Sequence, residues 1–125
     1  MLALIVDDSR AMRSLLGQAL RGLGFQIVEA RDGAEGLDRL RESAGVAVAL
    51  VDRNMPVKDG ISFVREVRRL PGFVALPLVM VTTEGDADKV ELARASGADE
   101  YVTKPFTSDI IAHQLERLGL PLARA

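Results

Sequence analysis

Cysteine and tryptophan are absent from the 125 residues, and histidine and tyrosine occur once each. Without cysteine there is no disulfide framework, no thiolate nucleophile and no thiolate metal site. A single histidine excludes a histidine-rich metal site and argues against a histidine-based catalytic triad. Neither sign of charge dominates: 16 basic residues face 18 acidic ones, for a formal net charge of −2. That balance lacks the basic excess of a nucleic-acid-binding domain, so direct contact with nucleic acid is not expected. Long hydrophobic runs are missing as well. "MLALIV" places only six residues before Asp7, too few for a signal-peptide core or a membrane span. A cytoplasmic protein without membrane insertion is the expectation. No repeat, low-complexity tract or interdomain linker interrupts the chain, and its length suits one compact domain.

What is present alternates. Short apolar runs at 2–6, 46–51 and 76–81, with 25–30 and 99–103, read as five strands. Segments 9–24, 31–43, 61–70, 86–96 and 108–120 carry apolar residues at helical spacing. In the first of these, Met12, Leu15, Leu16, Ala19, Leu20 and Leu23 are expected to face inward, with Ser9 as the cap. The fourth has a thin apolar face of Ala87, Val90 and Ala93. "VAVALV" at 46–51 is apolar throughout, as a strand covered on both faces must be. Strands alternating with helices predict a parallel sheet between two helical layers. At this length the flavodoxin-like arrangement follows: five βα units in three layers, with strand order 2-1-3-4-5.

In such a sheet, ligands bind beyond the carboxyl ends of the strands, at the switch point between strands 1 and 3. Strand 1 runs into Asp7 and Asp8, strand 3 into Asp52, strand 4 into Thr82 and Thr83, and strand 5 is followed by Lys104. One aspartate there would be an ordinary turn residue. Three carboxylates, a hydroxyl and an ammonium converging on one edge need a shared purpose. Carboxylates that close repel, so at least one pKa rises unless a cation joins them. With no histidine or cysteine at hand, the cation should be hard and oxygen-loving, and Mg²⁺ fits because it accepts few protein ligands and keeps waters. Its open positions suit a phosphoryl oxygen. Asp52, on the central strand, would be the nucleophile; Lys104 would neutralise one phosphoryl oxygen and Thr82 would donate a hydrogen bond to another.

The motifs "IVDDS" at 5–9, "LVDRNMPVKDG" at 50–60, "VMVTTEG" at 79–85 and "YVTKPF" at 101–106 resemble those of the response regulator receiver family, in particular its single-domain CheY-like members. The likeness covers essentially the whole chain, with a receiver domain at 1–120 and a C-terminal tail at 121–125. It implies a two-component signalling switch, chemotaxis among its settings, in which a sensor histidine kinase phosphorylates Asp52. Asp8 and Asp52 would ligate Mg²⁺ directly, the carbonyl of Asn54 would be a third ligand, and Asp7 would act mostly through water. Thr82 and Tyr101 would form the switch, and the face of the fourth helix, fifth strand and fifth helix would meet a downstream target protein. The Lys104–Pro105 bond is usually cis in this family. Arg53, Thr83 and Glu84 occupy positions that modulate the site: Arg53 reaches over it or into water, Thr83 crowds the path of Tyr101, and Asn54 with Glu84 matches fast-cycling chemotaxis regulators. A monomer is implied, and a switch rather than an enzyme, although one that supports its own Mg²⁺-dependent phosphoryl transfer and dephosphorylation.

Smaller features have simple readings. Gly60 is expected to supply a positive φ before the third helix. Met55 packs under its loop, Arg65 to Arg69 form a solvated face, and His113 lies on the surface. Three alternatives compete. A haloacid-dehalogenase-type phosphatase needs an acid/base aspartate two positions after the nucleophile, where Asn54 stands. A receiver-like module that is never phosphorylated would not need the full set of site residues. The receiver half of a larger regulator with a separate output domain stays open.

Overall fold

The computed structural model describes residues 1–83 and 85–123. Ten elements alternate: β1 (Leu2–Val6), α1 (Arg10–Arg21), β2 (Gln26–Ala30), α2 (Gly33–Glu42), β3 (Val46–Val51), α3 (Gly60–Arg69), β4 (Leu78–Thr82), α4 (Ala87–Ser96), β5 (Glu100–Thr103) and α5 (Ser108–Arg117). The strands are parallel in the order β2-β1-β3-β4-β5, as expected from the alternation.

Strand periodicity divides the core in two. Leu4, Val6, Ala49, Val51, Leu78 and Met80 point to the side covered by α2, α3 and α4. Their neighbours Ala3, Ile5, Val48, Leu50, Val79 and Val81 point to the side covered by α1 and α5. This two-sided burial explains why β3 is apolar at every position and β4 at all but its last, Thr82. Phe63, fully buried beside Val64 and Val67, anchors α3 on its side of the sheet. Burying a side chain of this kind stabilises by roughly 1.5–3 kcal/mol.

Helix starts follow local chemistry. Ser9, Asp32, Asp59 and Thr107 each accept a hydrogen bond from a backbone N–H in the first turn. Asp86, at the start of α4, makes no such bond. Several boundaries differ from expectation. β4 begins after Pro77, whose carbonyl still accepts from Ala49 N, and it includes Thr82. Leu15 does not face inward: it is 54% exposed, beside Met12 and Phe106. The apolar stripe of α1 is wider than the sheet can cover. On α4 only Ala93 of the expected face is buried, with Ser96. Arg68 departs from the solvated face of α3. Its guanidinium donates to the carbonyls of Val74, Leu76 and Gly97 and to the Asp99 carboxylate. It thereby ties the chain entering β4 to the end of α4. Met55 packs on the core and His113 is exposed, as expected. The C-terminal residues Leu120 and Leu122 lie against the α1/α5 core, and Ala123 N donates to Leu23 O at 2.9 Å.

The positive φ expected at Gly60 sits elsewhere, at Val57, with φ 69°. Lys58 N donates to Pro56 O at 2.8 Å, closing a three-residue turn around Val57. A β-branched residue is strained in this region, whereas asparagine tolerates it. Because the Val57 side chain is 86% exposed, replacing it forfeits little burial. Val57→Asn is expected to stabilise the protein by about 1 kcal/mol, read as a higher midpoint in urea. A lower midpoint would mean that the valine makes contacts worth more than the strain.

Candidate functional site

Backbone ladders carry the sheet's order past the strand ends. Asp52 N donates to Val6 O at 2.8 Å, Asp7 N to Ala30 O at 3.0 Å, and Lys104 N to Thr82 O at 2.8 Å. The side chains that follow β1, β3 and β5 are therefore seated by hydrogen bonds of the sheet itself. They meet at the switch point, where the chain leaves β1 for β2 on one side and β3 lies on the other.

One carboxylate oxygen from each of Asp7, Asp8 and Asp52 can be chosen so that all three lie within 4.8 Å of one another. Asp7 and Asp52 are buried, and Asp8 is exposed. The Lys104 ammonium lies 3.0 Å from Asp7 Oδ2 and 3.6 Å from Asp52 Oδ1. Three carboxylates against one ammonium leave a net charge of −2 at the cluster. Asp7 is also held by Ser9, whose N–H donates to Asp7 Oδ1 at 2.8 Å.

Burial is the main cause that holds the Asp52 carboxyl above its ordinary value of 3.8. The neighbouring charge of Asp7 adds to the rise and that of Asp8 adds less. Lys104 and a backbone hydrogen bond from Asn54 oppose it. The ionised Asp52 carboxylate is thus under electrostatic stress that a cation would relieve. All candidate donors are hard oxygens, with one face open to water at Asp8. That set fits a divalent ion of the Mg²⁺ type, which retains several waters.

The remaining expected residues fall as follows. Thr82 is wholly buried as the last residue of β4, paired in register with Thr103. Tyr101 on β5 is half-buried and packs on the α2/α3/α4 side of the core. Asn54 and Thr83 are exposed. Lys104–Pro105 is cis. Glu84 lies outside the described residues. Arg53 is half-buried, and its Nη1 donates to the carbonyl of Lys89 on α4 at 3.2 Å.

The sequence reading missed one contributor and misread a second. Arg13 donates to the Asp7 carbonyl at 2.7 Å and pairs with Glu29 at 3.0 Å, bracing the β1 end against β2. Its position one turn after the Ser9 cap was the available signal. Gly60 is the second. A Cβ at this residue would stand 2.3 Å from the Asp52 carbonyl oxygen and 2.9 Å from Arg53 Cα. Only hydrogen fits between α3 and the segment that presents Asp52.

Comparison with known proteins agrees with this geometry. A family model described as the response regulator receiver domain matches residues 3–116. The chain is 37% identical over 114 residues to chemotaxis protein CheY1 of Helicobacter pylori, covering 90% of this chain and 92% of that protein. It is 38% identical over 114 residues to a chemotaxis protein CheY homolog of Campylobacter jejuni, covering 90% and 88%. The structure of chemotaxis protein CheY4 of Vibrio cholerae superimposes with a TM-score of 0.87 at 33% identity, covering 93% of this chain and 96% of that one.

Proposed function

The chain belongs to the response regulator receiver domain family, and on that premise we propose that it is a phosphorylation switch whose acceptor is Asp52. The observation that carries this reading is the seating of Asp52 between Asp7, Asp8 and Lys104 at the switch point. Chemotaxis is the favoured setting, because the relatives named above carry that description. Among the described residues no helix is long and apolar enough to cross a membrane, and we place the switch in the cytoplasm.

A carboxylate oxygen of Asp52 attacks the phosphorus of a phosphohistidine on the kinase. The new O–P bond forms as the P–N bond breaks, and the imidazole leaves with its electron pair. Asp8, Asp52 and the Asn54 carbonyl would hold Mg²⁺, with Asp7 acting through water. Bound there, the ion would supply positive charge to neutralise phosphoryl oxygens. Lys104, now spanning Asp7 and Asp52, turns its charge onto a phosphoryl oxygen, and the Thr82 hydroxyl donates to another. Leu15, exposed on α1, lines a hollow with the half-buried Met12 and Phe106 that suits docking of the kinase. Arg53, Thr83 and Glu84 modulate how fast the group is gained and lost.

The output surface is formed by α4, β5 and α5. α4 buries only Ala93 and Ser96 and lacks a side-chain cap, so it is the least anchored helix of that face. As Thr82 turns toward the phosphoryl group, Tyr101 moves into the space behind it, and the surface near Val90, Arg94 and His113 changes. Driving such a switch from 1:99 to 99:1 takes about 5.5 kcal/mol of differential interaction. Charge-assisted hydrogen bonds to the phosphoryl oxygens, at roughly 1.5–3 kcal/mol each, reach that total.

The metal provides the test. Acetyl phosphate with Mg²⁺ should place one phosphoryl group on the protein, and EDTA should abolish its uptake. Asp8→Ala should weaken metal affinity and phosphorylation together, since Asp8 is the open carboxylate of the cluster. Labelling that proceeds undiminished in EDTA would refute the mechanism.

A further inference from the structure

Arg10 opens α1, two residues after Asp8. Its side chain is exposed and makes no hydrogen bond or ion pair among the described residues. The neighbouring cations are engaged. Lys104 spans Asp7 and Asp52, Arg13 holds the Asp7 carbonyl and Glu29, Arg31 pairs with Glu35, Arg53 donates to the Lys89 carbonyl, and Lys58 pairs with Glu66. α1 does not benefit from the arginine either. The first turn of a helix carries partial positive charge and favours a carboxylate over a cation. No acidic residue stands in that turn, and Ser9 already supplies the cap.

The cleft that Arg10 lines does not cancel its charge. Arg10, Arg13 and Arg31 face Glu29 and Glu35 there, and each glutamate already has an arginine partner. One positive charge is left over on that flank. At the carboxylate cluster the balance is reversed: Asp7, Asp8 and Asp52 against Lys104 leave a net charge of −2. A divalent cation would only cancel that charge, so the cluster by itself offers an incoming anion no attraction. Arg10 supplies it. Two peptide units separate Asp8 and Arg10, so their Cα atoms lie at most about 7.6 Å apart. Asp8 is the exposed member of the cluster, so the arginine adjoins the part of the site that solvent reaches. Unit charges about 10 Å apart still interact through water at low salt, where the Debye length is about 30 Å.

We propose that Arg10 is a steering residue for small anionic phosphodonors of the acyl phosphate type: its charge raises their local concentration at Asp52 without touching the reacting atoms. The proposal rests on the reading of Asp52 as acceptor. Steering of this kind depends on the donor's charge and fades as salt screens it. It also has a consequence of opposite sign. The charge that favours an anion at the cluster disfavours a cation there, so Arg10 weakens the binding of Mg²⁺. A residue that merely held α1 in place would affect both ions in the same direction.

Labelling rates and metal binding on the full chain test this. At low salt with saturating Mg²⁺, acetyl phosphate should label Arg10→Gln about threefold more slowly than the wild type, and Arg10→Glu about tenfold more slowly. Phosphoramidate, which carries one negative charge fewer than acetyl phosphate near neutral pH, should be slowed less by each substitution. In about 1 M salt, where the Debye length is about 3 Å, the differences should vanish. Mg²⁺ binding, followed by NMR at low salt with no phosphodonor present, should be about threefold tighter in Arg10→Gln. Equal labelling of the three proteins at low salt overturns the steering. So does a deficit that persists at high salt, or a Mg²⁺ affinity that falls together with the rate. Asp52→Asn, run alongside, keeps the acceptor reading apart. If it labels as the wild type does, that reading and the steering fall together. Equal rates in the Arg10 variants, with Asp52→Asn unlabelled, refute the steering alone.

Discussion

Asp52→Asn is expected to take up no measurable phosphoryl group from acetyl phosphate or a phosphorylated kinase, while folding more stably than the wild type in metal-free buffer at neutral pH. The first effect follows from chemistry. The amide is a poor nucleophile, and neither other aspartate has Asp52's place on the central strand beside Lys104. The second follows from electrostatics. The folded protein holds the Asp52 carboxyl above 3.8, chiefly through burial and then through Asp7. A raised value means that folding favours the protonated form. Its contribution to stability is fully present below pH 3.8 and is lost as pH rises through the higher folded value. Asparagine never ionises and escapes that loss. The melting temperatures of the two proteins should therefore converge in acid and separate as pH increases, and Mg²⁺ should narrow the gap by joining the carboxylates. Intact-protein mass spectrometry and melting curves between pH 3 and 8 read both effects. An Asn variant that labels as the wild type does would remove Asp52 from its role, and a stability gap independent of pH would remove the electrostatic account.

Gly60→Ala should be the most damaging single methyl group that can be added near the site. The new Cβ would lie 2.3 Å from the Asp52 carbonyl oxygen and 3.0 Å from its carbonyl carbon. Both are backbone atoms, and Asp52 N is bonded to Val6 O, so the obstacle cannot rotate away. Overpacking of this kind costs about 3 kcal/mol, a large part of the roughly 5–15 kcal/mol that holds a domain folded. Relief requires α3 to lift or the segment that carries Asp52 to shift, and either displaces Asp52 from Asp8 and Lys104. A fall of about 10 °C in melting temperature is expected, with slower uptake of phosphoryl from acetyl phosphate in the surviving folded fraction. Gly60→Ser should behave alike, because the offending atom is Cβ. Since Gly60 has no positive φ, a variant that melts with the wild type would show that the backbone here yields more readily than its hydrogen bonds suggest.

The amino-acid order by itself determined the architecture and most of the candidate site. Apolar runs of strand length alternating with amphipathic segments admit few topologies, and the polar residues that end those runs must gather at one edge of a parallel sheet. Asp7, Asp8, Asp52, Thr82 and Lys104 were legible for that reason: their positions follow from chain direction alone. The residues that depend on how helices approach one another were not. Whether Leu15 faced the core depended on how much of α1 the sheet could cover. Arg68 looked like one more solvated cation until the β4 entry and the end of α4 were placed around it. Gly60 read as a turn glycine, although the strained turn lies at Val57 and Gly60 is needed for close approach. Arg53 had no readable destination, because its partner carbonyl at Lys89 lies 36 residues away. Local pattern sets which face a side chain uses and where a strand stops. The distance between surfaces far apart in the chain is set only when the two core layers close, and that distance decided what Gly60, Arg68 and Arg53 do.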